Sequence, residues 1–156
     1  MTLIESLPKK LGSADQWLEK GGVHWLDPGP LTVRELCMEM IACKARFVTI
    51  TAYQLPGVEG FRLEYHWDLD GQLLGFPFLL QGNSPESAKI ASFYDLCEAV
   101  DWIEREIHEG FAIDFTGREY EPLLLRQGDK LGVNLRDTAA PGKPASGIPG
   151  QEEVKK

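Results

Sequence analysis

The side chains best suited to chemistry are few and scattered. Histidine occurs three times, at His24, His66 and His108, in three different predicted elements. His108-Glu109 lacks the HExxH spacing that sets two imidazoles on one helical face, so a metal site would need long-range convergence. Cysteine also occurs three times, at Cys37, Cys43 and Cys97. There is no CxxC, and an odd number of thiols cannot form a closed disulfide framework. Three reduced, buried thiols in a cytosolic protein are expected. An iron–sulfur cluster needs about four cysteine ligands, which this chain does not offer. No GxSxG elbow occurs, and neither GxGxxG nor GxxxxGK followed by Ser or Thr is present to cradle phosphate. Carboxylates are abundant, but an acidic surface brings them together by chance. A stand-alone enzyme would have to use His66 or His108 with nearby carboxylates; recognition of a partner is the better-supported chemistry.

The totals agree. At 156 residues, with 43% hydrophobic and 26% charged residues, the chain is long enough for one self-sufficient core. Its net charge of −8 argues against nucleic acid, whose phosphates need a basic surface, and favours a basic protein partner. The start, MTLIESLPKKLG, lacks the apolar run of a signal peptide. The longest apolar stretch, LLGFPFLL, falls far short of the ~20 residues of a membrane span.

Several elements follow from pattern. Leu3 to Leu11 could form a short helix, with Pro8 unfavourable inside it. VHWLD (23–27) reads as a short strand ended by DPGP. Thr32 and Glu35 form a capping box ahead of VRELCMEMIACKA, whose apolar residues repeat at helical spacing. RFVTITAY (46–53) has strand composition. FRLEYHWDL (61–69) alternates, with Phe61, Leu63, Tyr65, Trp67 and Leu69 on one face and Arg62, Glu64, His66 and Asp68 on the other. Asp70-Gly71 signals a type I′ hairpin that returns LLGFPFLL antiparallel, with Pro77 at an edge or bulge. A second long helix, capped by Ser92 or Asp95, runs to Gly110, and FAIDF (111–115) is a final short strand. The expected fold is α+β: a two-layer sandwich in which a mixed, mostly antiparallel β-sheet carries two main helices on one face. Residues 1–127 form the domain, and 128–156, rich in Gly, Pro and charge, form a flexible tail.

The stretch WIEREIHEGFAIDF (102–115) carries the sharpest expectations. On a wheel of about 100° per residue, Phe93, Leu96, Cys97, Ala99, Val100, Ile103 and Ile107 share one arc. Glu104 falls inside that arc, and a carboxylate there needs an arginine or backbone amides unless it bends out to water. Trp102 falls opposite, among Asp95, Glu98, Arg105, Glu106 and Glu109. An outward tryptophan exposes a large apolar ring of the kind that anchors interfaces. Between Asp95 and Glu121 stand nine acidic and two basic residues, a net charge of −7 against −8 for the whole chain.

These residues also carry a resemblance. Ser92-Phe93-Tyr94, Ala99, Trp102, Glu104-Arg105-Glu106, Phe111, Ile113, Phe115 and Gly117 reproduce a W-x-E-R-E segment followed by F-x-I-x-F-x-G. The chain here resembles the 30 kDa-type subunit family of respiratory complex I (NADH:quinone oxidoreductase) and its relatives in membrane-bound energy-converting nickel–iron hydrogenases. FRLEYHWDL is similar to that family's RFxxVYHL strand, so the resemblance covers about residues 46–117. The family's Gly-His-Pro-Asp-Leu-Arg-Arg is replaced by Gly117-Arg118-Glu119-Tyr120-Glu121-Pro122-Leu123, and this divergence points to the hydrogenase branch ahead of complex I.

The resemblance implies an accessory subunit of an oxidoreductase complex, without catalytic residues, cofactor or metal of its own. The nickel–iron centre and iron–sulfur clusters would belong to partner subunits. Those partners would be a large catalytic subunit and a ferredoxin-like iron–sulfur subunit, on the cytoplasmic side and peripheral to the membrane. Expected interface residues are Trp102, Glu104, Arg105, Glu106, Glu109, Phe111, Ile113 and Phe115. Arg105 is expected to sit between carboxylates and order the surface. A small soluble binding module without a redox link is a further alternative.

Overall fold

The computed structural model describes residues 3–11 and 16–136. Its centre is the alternating strand anticipated above, β4 (Gly60–Leu69). It is flanked by β3 (Arg46–Gln54) and β5 (Gln72–Gln81), both antiparallel to it. The β4–β5 hairpin turns on Asp70 and Gly71, both at positive φ (53° and 80°), as a type I′ turn requires. Beyond β5 lie β2 (Val23–Trp25), parallel to it, and β1 (Leu18–Lys20), giving the sheet order β1-β2-β5-β4-β3. Although β5 is an inner strand, β2 pairs with it only from Leu73 to Gly75. Pro77 therefore sits where the strand has a free side and its missing N–H costs no ladder bond.

Alternation along β4 separates the two faces as expected. Phe61, Leu63, Tyr65, Trp67 and Leu69 are all buried. They join Leu74 and Phe76 of β5 and Phe47 and Ile50 of β3 in one core. Onto this face pack α1 (Leu3–Lys10), α2 (Val33–Ala42) and α3 (Asp101–Phe111). The small α1 forms despite Pro8, and Lys10 ties it to Glu39 of α2. Thr32 caps α2 with the full capping box to Glu35. The opposite sheet face carries Arg62, Glu64, His66 and Asp68, so the molecule is the two-layer α+β arrangement expected.

Three boundaries differ from the sequence reading. The second long helix begins only at Asp101, after a 3₁₀ turn at Glu98–Val100. Residues 92–97 form a turn in which Leu96 and Cys97 donate their N–H groups to the Phe93 carbonyl. Phe93 is still central, at 5.7–6.1 Å from the rings of Phe47, Tyr65 and Trp67, but it gets there from a turn. Neither expected cap serves α3, whose N-cap is Val100 with no side-chain hydrogen bond. Phe111 is the last helical residue, Ala112 is left-handed at φ 55°, and β7 is the shorter span Asp114–Thr116, parallel to β6 (Lys89–Ala91). The first residues assigned to the tail are packed. Gly132 and Asn134 donate N–H groups to the carbonyls of Glu109 and Gly110. The Gln54 side-chain amide brackets Arg136, accepting from its N–H and donating to its carbonyl. Residues 137–156 of the expected tail lie outside the described residues.

Candidate docking site

Helix α3 is amphipathic, and one side of it is locked into the chain by charge. Glu104 is fully buried (0% exposed), so its carboxylate does not bend out to water. Ser92 Oγ donates to it at 2.6 Å, Arg118 Nη1 at 2.9 Å and the Phe93 N–H at 3.4 Å. Both partner types expected for it, an arginine and a backbone amide, are present. Burial is the largest influence on this carboxyl and pushes its pKa above the ordinary value, against the opposing pull of Ser92 and Arg118.

Arg118 is the arginine that sits between carboxylates, bonding both Glu104 and Asp101. The sequence reading gives that role to Arg105. Arg105 instead donates to one carboxylate, Asp101, at 3.0 Å, and to the main-chain carbonyls of Glu121 and Pro122 at 3.0 Å each. It fastens the segment after β7 to the helix. Arg118 lies over the Tyr94 ring, 4.9 Å from its centre, and near Tyr120 at 5.3 Å. Burial is the largest influence on Asp101 and opposes ionisation, but the hydrogen bonds from Arg118 and Arg105 together hold its pKa below the ordinary value.

Glu109 is expected on the outer charged face; the structure buries it at 6% exposure. Its two oxygens accept the N–H groups of Leu123, Leu124 and Leu125 at 2.6, 2.8 and 2.9 Å. Burial again opposes the charge most strongly, yet these amides outweigh it and hold the carboxyl below its ordinary pKa. Three consecutive amides turned toward one carboxylate leave Leu124 projecting outward, 72% exposed. Next to this anchor, His108 stacks on Tyr120 with ring centres 3.7 Å apart and planes at 9°. His108 Nδ1 lies 2.8 Å from the Ile113 carbonyl oxygen. A carbonyl can only accept, so Nδ1 carries a proton. The Tyr120 hydroxyl closes the loop by meeting the backbone N–H and carbonyl of Phe115.

The eight expected interface residues thus divide. Ile113 and Phe115 are buried in the core with Glu104, while Phe111 is half-buried against Phe61, ring centres 6.0 Å apart. These side chains and Glu109 lie beneath the surface; of them only Glu109 is expected on the outer face by the helical wheel, and its burial corrects that expectation. Trp102 and Glu106 face outward, and Trp102 is 71% exposed. The acidic field also divides. Asp95 is bound by Arg34 through two hydrogen bonds of 2.6 and 2.8 Å, and Asp101 and Glu104 are neutralised internally. Glu98, Glu106, Glu119 and Glu121 are exposed and form no ion pair among the described residues. An outward indole with the unpaired Glu106 one turn along the same helix suits a partner that is apolar at its centre and basic at its rim.

Sequence reasoning misses Arg118 and Leu124. Arg118 falls in the segment 117–123, and the available signal is one of two cations among nine acids. Only the chain's return onto Glu109 reveals Leu124. No group of three or more His, Cys, Asp or Glu side chains able to hold a metal occurs among the described residues. His24, His66 and His108 each sit against an aromatic ring, those of Trp17, Trp25 and Tyr120. No described helix is long and apolar enough to cross a membrane.

A family model described as "Respiratory-chain NADH dehydrogenase, 30 Kd subunit" matches residues 32–143. An NADH-quinone oxidoreductase subunit of Rhodopseudomonas palustris (strain BisB18) is 30% identical over 77 residues, covering 47% of this chain and 38% of that relative. The chain therefore spans well under half of that relative's length. Among solved structures, one from the membrane-bound sulfane sulfur reductase, an archaeal respiratory membrane complex, superposes with a TM-score of 0.64. It is 17% identical and covers 84% of this chain and 78% of that one. The trypsin-resistant fragment (1–134) of Nqo5 superposes with a TM-score of 0.56 at 19% identity, over 75% and 98% of the two chains. At these identities the two structures speak for the fold.

Proposed function

Because the chain belongs to the family of the respiratory-chain NADH dehydrogenase 30 kDa subunit, we propose that it is a non-catalytic docking subunit of a membrane-bound energy-converting nickel–iron hydrogenase. It stands in the hydrophilic arm, joining the large catalytic subunit to a ferredoxin-like iron–sulfur subunit. The chain is held at the cytoplasmic side of the membrane through the complex, and its partners carry the metals. The observation that carries this reading is Trp102, a large ring left 71% exposed on a helix whose other side is fixed by the Glu104–Arg118 and Glu109 anchors. A tryptophan side chain has few rotatable bonds, so it loses little conformational freedom on docking, and such rings are enriched at interface hot spots. The exposed, unpaired carboxylates of the same stretch, Glu98, Glu106, Glu119 and Glu121, favour a basic partner face.

A second reading is the 30 kDa-type subunit of NADH:quinone oxidoreductase itself, favoured by the 30% identity to a subunit of that enzyme. Affinity capture of the full-length chain from its native membranes separates the two. Co-purification of a nickel-containing large subunit and an iron–sulfur subunit is the expected result. A nickel-free, quinone-reducing large subunit would establish the second reading. Recovery of the chain alone, in detergent that preserves membrane complexes, would refute docking altogether.

A further inference from the structure

The outer edge of the sheet lies beside the helix surface. Strand β3 ends the sheet order, so one of its sides has no strand neighbour. Its first part is blunted by the irregularity between Phe47 and Thr49, where Val48 is exposed, as edge strands often are. From Thr49 to Tyr53 the pairing with β4 is regular. Beside this stretch runs a groove between β3 and α3, lined by Ile50, Thr51, Ala52, Ile103, Ile107 and Phe111, of about 190 Å³. Three consecutive strand residues line it, and successive side chains alternate faces, so the groove reaches the strand's edge and not just its inner face. It continues into a hollow of about 570 Å³ along Tyr53 and Gln54, bounded by Val133 to Arg136. The Gln54 side-chain amide gives and takes one hydrogen bond with the main chain of Arg136, at 3.0 and 2.9 Å.

We propose that the β3 edge from Thr49 to Tyr53 is a strand-addition site, which takes up an extended segment of a partner subunit bearing alternate apolar side chains and a lysine or arginine. This rests on the docking reading above and deepens it. Apolar side chains of such a segment would lie over Ile103, Ile107 and Phe111, and main-chain hydrogen bonds to the edge would supply affinity. The basic residue would face Glu106, which is exposed on the groove's rim without an ion-pair partner among the described residues. Charge disfavours a second copy as the occupant, since each chain carries −8 and two such chains repel. The sequence after Arg136 carries Pro141, Pro144 and Pro149, and proline lacks the N–H that a strand ladder needs.

Hydrogen exchange tests this on the full-length chain, free and in the captured complex. Outer-edge amides between Thr49 and Tyr53 should exchange about tenfold or more slowly in the complex than in the free chain. Unchanged exchange at the edge of an intact complex would overturn the strand-addition site while leaving docking in place. Protection already present in the free chain, and lost on truncation after Arg136, would assign the groove to the chain's own C-terminal segment and equally overturn it. Recovery of the chain without any partner subunit would remove the docking reading and this site with it.

Discussion

Glu104 and Glu109 lie on one helix, both out of solvent, with opposite titration behaviour. Glu104 is surrounded by core, so burial outweighs Ser92 and Arg118 and raises its pKa. Glu109 receives three backbone amides, which overcome burial and lower it. Their consequences for stability have opposite signs. A lowered carboxyl contributes stability that is complete above its ordinary value of 4.5 and is lost as pH falls through the lower folded value. A raised carboxyl takes its proton first in the folded state, so stability rises as pH falls from that value toward 4.5. Acid should therefore loosen the Leu123–Leu125 segment and spare the Glu104 pocket. The stability difference between wild type and Glu109→Gln should shrink as pH drops below about 4.5; a difference independent of pH would contradict the anchor. For Glu104→Leu the sequence allows either sign, and the buried Arg118 contact decides it. The substitution strands Arg118 with a single carboxylate and should cost about 3–5 kcal/mol in urea unfolding.

The elements that carried local signals were legible. Thr32 and Glu35 announced the start of α2, and the alternation of Phe61 to Leu69 announced both faces of β4. Thr32→Ala should cost about 1 kcal/mol by removing the cap, measured as a shift in the unfolding midpoint at constant slope. The start of α3 was not legible, because Phe93 to Val100 has helical periodicity but other uses for its side chains and backbone. Asp95 is drawn to Arg34, 61 residues away, and the Arg34 guanidinium also takes the Ser92 carbonyl. Ser92 and the Phe93 N–H are directed to Glu104. Such contacts belong to tertiary structure and leave no trace in local spacing. The same holds for Glu109, which sits among charges on a wheel yet is covered by a segment 14 to 16 residues later.

At the scale of the molecule, the acidic excess near α3 has two parts with different purposes. One part is used internally, where Asp101, Glu104 and Glu109 clamp the segment after β7 to the helix. The remainder, Glu98, Glu106, Glu119 and Glu121, is exposed and forms no ion pair among the described residues, on the same stretch of chain as Trp102. In this chain of the 30 kDa subunit family, Arg118 is the internal cation of that clamp. The central claim is that Trp102 docks the chain into its complex, and Trp102→Ala in the tagged, full-length chain tests it most directly. The variant should unfold at the wild-type midpoint within about 0.5 kcal/mol, as exposed positions do, while the partner subunits are lost from affinity capture. Capture of the full set of subunits at wild-type yield by a folded Trp102→Ala chain would contradict the account.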